Sequence, residues 1–237
     1  MKPFALALFA LVTLAPPPVW AKPPATEAPR RDPDEARLQE ALVLIASGRV
    51  TEAMPLLDRI VTAKTKEYAG EKRRIYCARS MAETLAYMTM AAAAREDAVA
   101  MPPVLADAIF YKGFVLVDLH RDDEAEAAFR RAITLSPSHA RYLAELGELY
   151  KRRRDWPTAL ATFQRADEAA ALSPDDHRVF EQTRAWRGIG FVMIEQGRLE
   201  EAQGWFEKSL ALDPNDAKAR AEIDYIRQQR AKAAPPA

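Results

Sequence analysis

The sequence predicts an all-α chain of stacked helical hairpins, over roughly 70% helix with no sheet. Three observations predict it. In every periodic segment the apolar residues recur at the spacing of a helix, and none alternates in the manner of a strand. A pattern of small and aromatic residues repeats: Gly113 with Ala125 and Phe129, Gly147 with Ala159 and Phe163, Gly190 with Ala202 and Phe206. The punctuation also repeats, since Ser136-Pro137, Ser173-Pro174 and Asp213-Pro214 each read as a capping side chain followed by proline at a first helical position.

The 237 residues suffice for one elongated domain or two small ones. Lys plus Arg equals Asp plus Glu, 34 each, so no global field draws nucleic acid or an acidic membrane. Apolar residues make up 49% and charged ones 29%, as in a folded helical protein. Residues 1–21 place Lys2 before an apolar run from Phe4 to Ala15, then three prolines and Val19-Trp20-Ala21. This pattern predicts a secretory signal peptide cleaved after Ala21. Its 12 residues, all apolar but Thr13, fall short of the roughly 20 that span a bilayer. The expected product is exported to a bacterial periplasm, with no stable membrane insertion after cleavage.

Residues 22–33 carry four prolines and read as an extended linker. A first hairpin spans about 34–67: Leu38, Leu42 and Ile45 lie on one helix, Ser47-Gly48 makes the turn, and Thr51 is placed to cap the second helix. Residues 72–105 follow a helical stripe through Ile75, Ala78, Ala82 and Leu85. They are expected to form a degenerate repeat, with one long helix as the alternative. Cys77 falls here; as the only cysteine it forms no intramolecular disulfide. It reads as a small buried hydrophobe on a helix, or else as a reactive thiol or a bridge to another chain. Clearer units follow at 106–139, 140–176 and 183–216, with Asp175–Gln182 extending the last unit's first helix backwards. Ala219, Ile223 and Ile226 then form a narrow stripe on a capping helix at 217–233.

The stretch from Thr183 to Pro214 has Trp186, Ile189-Gly190 and Met193, then Ala202, Phe206 and Pro214. It resembles the tetratricopeptide (TPR) signature W-x2-L-G-x2-Y…A-x3-F…P in a 34-residue unit. The weaker copies extend the resemblance over residues 34–216, least clearly at 72–105, where Arg79 stands at the motif glycine position. The resemblance implies a helical-hairpin solenoid coiled as a right-handed superhelix, whose first helices line a concave groove for peptides or protein segments.

On those helices, positions six and three before the motif glycine and one and four after it share a face. The groove residues chosen from these faces are Tyr76, Phe110 and Phe114 as an aromatic patch, and Arg141, Lys151, Arg184 and Arg187 as a basic patch beside Phe191. Arginine forks suit carboxylates and aromatic rings suit apolar side chains, so an acidic or C-terminal peptide segment is the expected ligand. Pairing of these cations with Glu145, Glu148 or Glu195 is the plainer alternative. The asparagine that follows the motif glycine in carboxylate-clamping repeats is replaced by Phe114, Glu148 and Phe191.

Lys151 to Arg154 end a helix, where cations meet the negative end of its dipole, so nucleic acid is not an expected partner. No metal-ligand spacing, phosphate-binding glycine loop or nucleophile motif occurs, so no cofactor, metal or catalytic residue is expected. The expected function is a non-catalytic scaffold or adaptor for another protein or peptide. A structural or homo-oligomeric subunit of a cell-envelope complex is the alternative, and an enzyme acting on envelope polymers has no constellation behind it.

Overall fold

The computed structural model describes residues 32–233. The expected signal segment and residues 22–31 of the linker lie outside the described residues. Helices α1 (Pro33–Ala46) and α2 (Val50–Glu67) form a first hairpin. Strand β1 (Arg74–Cys77), helix α3 (Met81–Ala94) and strand β2 (Ala98–Met101) follow. Three more hairpins pair α4 (Val104–Asp118) with α5 (Asp122–Leu135), α6 (Ala140–Arg152) with α7 (Trp156–Ala170), and α8 (Asp175–Glu195) with α9 (Leu199–Leu212). Helix α10 (Ala217–Ala233) packs on the last of them and buries Ala219, Ile223 and Ile226.

Each hairpin turns in the same way. Gly48, His120, Arg154 and Gly197 occupy corresponding places with φ of 73°, 57°, 59° and 75°. The next residue's N–H then reaches back into the first helix, as Arg49 does to the Leu44 carbonyl and Arg121 to that of Leu116, both at 2.9 Å. The left-handed conformation is easy for glycine and strained for the other two residues.

The helices are held together by phenylalanines seated on glycines. A methyl group added at Gly113 would lie 2.8 Å from the Phe129 ring, and one at Gly190 would lie 2.8 Å from Phe206. Phe163 is seated twice. It faces Gly147 of its own hairpin, where an added methyl would stand 2.9 Å away, and Gly188 of the next, where it would stand closer still. All three rings are buried, so they have nowhere to retreat.

The expectation of an all-helical unit at 72–105 and of no sheet is corrected by the structure. Residues 74–101 form neither a hairpin of helices nor one long helix but a strand–helix–strand unit. Its two strands pair in parallel, with Arg74 opposite Ala98 and Cys77 opposite Met101. Ser80 interrupts the helical stripe by capping α3, its hydroxyl accepting the Glu83 N–H at 3.1 Å. The sheet divides two cores. Tyr76 stacks on Tyr87 of α3 at 5.3 Å, whereas Cys77 and Ile75 join the core of the helical stack. Cys77 is therefore a buried strand residue, and burial pushes its thiol up to about 12.

The unit is fastened to the stack by ions. Arg79 lies between Glu83 of α3 and Glu181 of α8, at 2.7 and 2.8 Å, with both carboxylates buried. Ser173 donates a further hydrogen bond to Glu181, and Ser136 donates one to the Cys77 carbonyl at 2.7 Å. These serines are thus engaged in tertiary contacts. Helices α6 and α8 begin at Ala140 and Asp175 without side-chain caps, so the prolines do not stand at first helical positions. Asp216, not Asp213, caps α10 by accepting the Ala219 N–H. Thr51 caps nothing either, since Arg49 occupies the cap position of α2 and pairs with Glu52.

Two substitutions test this packing. Gly188→Ala should destabilise the protein by about 1–3 kcal/mol through overpacking against Phe163, read as a lower denaturation midpoint; an unchanged midpoint would contradict the contact. His120→Gly should stabilise it by about 1 kcal/mol by relieving the left-handed residue, read by calorimetry as a higher Tm.

Candidate functional groove

Helices α4, α6 and α8 are the first helices of successive hairpins, and a cavity of about 500 Å³ opens between them. Phe114 and Val117 come from α4, Glu145, Glu148 and Lys151 from α6, Arg184 and Phe191 from α8. Trp156, at the start of α7, lines it as well. A second cavity of about 270 Å³ adjoins it toward α10, shares Glu148, Lys151, Arg184 and Phe191, and adds Arg187 and Lys218. Helical periodicity is what brings Phe114, Lys151, Arg184, Arg187 and Phe191 to these cavities.

Lys151, Arg184 and Arg187 already have partners there, whereas Arg154 in the first cavity and Lys218 in the second make no ion pair among the described residues. Arg184 lies 2.8 Å from Glu145, and Lys151 lies 2.5 Å from Glu148 and 4.5 Å from the centre of the Phe191 ring. Burial pushes the Glu145 carboxyl above its ordinary range, and the Arg184 guanidinium offsets this only in part. Arg187 reaches Asp216 at 2.5 Å, so it pins the capping helix as well as lining the second cavity. Three of the four cations of the sequence's basic patch, Lys151, Arg184 and Arg187, are thus held in ion pairs beside Phe114, Trp156 and Phe191.

Three residues expected in the groove lie elsewhere. Tyr76 is 2% exposed because it stands on a strand, where helix-face counting does not apply. Phe110 is fully buried, stacked on Tyr142 at 4.4 Å, because α4 here packs against its neighbours and β1 instead of facing an open groove. Arg141 lies half-buried above Phe110 and Tyr111, at 5.5 and 5.3 Å from their ring centres, and donates to the Tyr111 hydroxyl at 3.0 Å. Its neighbour His139 stacks on Tyr142 at 3.5 Å, and burial lowers its pKa well below the ordinary value.

Trp156 and Lys218 were missed by sequence reasoning, since neither stands on a first helix of a hairpin. The one signal was the large aromatic residue just after the turn at Arg154-Asp155. Among the described residues, no group of three or more His, Cys, Asp and Glu is placed to hold a metal ion. No described helix is long and apolar enough to cross a membrane.

Asp216 joins the groove to the stability of the chain end. It accepts from Arg187, from the Ser209 hydroxyl at 2.6 Å and from the Ala219 N–H at 3.1 Å. Burial alone would raise its carboxyl, but these bonds together hold it below the usual value of 3.8. A depressed folded-state pKa means that the stabilisation is present above about pH 4 and is lost as pH falls below that. Asp216→Ala should cost about 3 kcal/mol or more by stranding Arg187 and uncapping α10. It should also flatten the fall in stability of the wild type below about pH 4, both measured by denaturant titration across pH.

Comparison with known proteins bears on the repeats. Residues 112–176 match one family model and residues 183–216 another, and both models are described as Tetratricopeptide repeat. PilF of Pseudomonas aeruginosa aligns over 84% of this chain and 69% of its own, at 17% identity and a TM-score of 0.58. A double mutant of MamA from RS-1 aligns over 84% and 85%, at 16% identity and a TM-score of 0.51. The first repeat domain of Spaghetti (RPAP3), solved with an HSP90 peptide, covers 53% of this chain and 93% of that domain at 25% identity, with a TM-score of 0.46. No curated protein matches the chain.

Proposed function

The chain is a tetratricopeptide repeat protein, and from that premise we propose that it is a non-catalytic scaffold that holds a segment of another protein in the groove of α4, α6 and α8. The observation that carries this reading is the cavity between Phe114, Trp156 and Phe191, an apolar opening ringed by ion pairs. Aromatic side chains of this kind anchor a partner's apolar side chain. The paired carboxylates refine the ligand. An anionic group gains Arg184 or Lys151 only by displacing Glu145 or Glu148. Arg154 and Lys218 line the cavities without an ion pair among the described residues, so an acidic neighbour of the apolar residue meets those two first. The protein is exported, on this reading, because residues 1–21 have the pattern of a cleaved secretory signal, and its partner is a periplasmic protein.

The double variant Phe114→Ala, Phe191→Ala should keep its helix content. It should lose about 2 kcal/mol or more in capture of the partner taken from periplasmic extract. Equal capture by variant and wild type would end the groove reading. N-terminal sequencing of protein from the periplasmic fraction should begin at Lys22, and intact Met1 on membrane-bound material would refute export.

A further inference from the structure

We propose that the outer edge of β2 binds an extended segment of a partner protein as a third strand, with a cationic residue of that segment seated at the strand's end. This site is separate from the groove and does not depend on it. In a parallel ladder each residue turns both its N–H and its C=O to the same side, and successive residues alternate. Arg74 donates to the Asp97 carbonyl at 2.8 Å, and Ala78 donates to that of Met101 at 3.0 Å. The odd-numbered residues of β2 therefore face β1. Ala98 and Ala100 present their N–H and C=O groups to the other side, and no backbone group among the described residues pairs with them. β1 has no such edge, because α5 packs beside it and Ser136 takes the Cys77 carbonyl.

The free groups are two donors and two acceptors, repeated at every second residue. That array is met by an extended backbone and not by a helix. Natural edges are blunted by shortness, charges or proline; β2 is short, but Ala-Val-Ala-Met carries neither charge nor proline, and all four residues are half-buried.

Side-chain chemistry comes from the end of the strand. Met101 and Pro102 form one wall of a cavity of about 410 Å³ whose other walls include Asp32, Glu67 and Glu71. Lys64, the one cation lining it among the described residues, is already taken up by Asp32, Asp34 and Glu67, and Glu71 is paired with exposed Arg73. With Glu71 neutralised by Arg73, Asp32 and Glu67 share Lys64, and this excess of one carboxylate favours an added lysine or arginine. The occupant is thus a strand of about four residues followed by a basic side chain.

A fluorescein-labelled peptide Thr-Val-Thr-Val-Lys is the probe, read by fluorescence anisotropy on the full chain. Saturable binding is expected, weakened about tenfold or more when alternate amides of the peptide are N-methylated, and weakened also when its Lys is replaced by Glu. Ala100→Pro deletes one outward N–H and leaves the ladder to β1 intact, so it should abolish binding with unchanged circular dichroism. Should that variant misfold, the N-methylated peptide on wild-type protein decides the question by itself. Phe114→Ala with Phe191→Ala should leave this binding untouched, so failure here and failure of the groove are distinguishable. No saturation at about 1 mM peptide, or binding indifferent to N-methylation, would overturn the proposal. So would a self-association of the protein that Ala100→Pro abolishes, since the edge would then serve a second copy of the chain.

Discussion

Phe163 seated between Gly147 and Gly188 is the contact on which the rest of the structure depends. One ring closes its own hairpin and sets the distance to the next. Because interiors are packed to near-crystalline density, that distance has little freedom. It places α6 beside α8, and with them Glu145 beside Arg184 and Lys151 beneath Phe191. The groove follows from packing on its opposite side. Its polar residues are arranged by where glycine permits two helices to meet.

The solenoid is interrupted where its pattern fails. A hairpin of two helices at residues 72–105 would need a small residue at the motif position, and Arg79 stands there instead. The chain solves this locally by pairing β1 with β2 and folding α3 over one face, with a core of Tyr76, Tyr87 and Ala91. Arg79 then has a different task. Its guanidinium bridges two buried carboxylates, and the more distant, Glu181, lies 102 residues along the chain. Loss of Arg79 would leave two buried carboxylates uncompensated, which makes the bridge a strong specifier of how the unit docks. The backward extension of α8 belongs to the same device, since it carries Glu181.

What the sequence revealed, and what it withheld, follows from range. Gly113, Gly147 and Gly190 were legible because their phenylalanines stand at a fixed offset within one hairpin. Gly188 was not, because its partner Phe163 belongs to the preceding unit and no repeat marks it. The four-residue strands were too short for alternation to show, and Ala98 and Ala100 carry little strand preference. Helix-face counting found Phe114, Lys151, Arg184 and Phe191, since α4, α6 and α8 are regular helices. The same counting misplaced Tyr76, which is not on a helix, and Phe110, whose face is covered. The charge balance of the groove was hidden because Asp216, which neutralises Arg187, lies on the far side of α9 in sequence.

The central claim is that a phenyl ring in contact with glycine sets the spacing of successive hairpins. Proton NMR tests it most directly. The Gly188 α-protons should show nuclear Overhauser contacts to the Phe163 ring and a ring-current displacement from their ordinary shift. Gly190, further along the same helix, should report Phe206 instead. Gly188 resonances at ordinary shifts, with no contact to Phe163, would contradict the account.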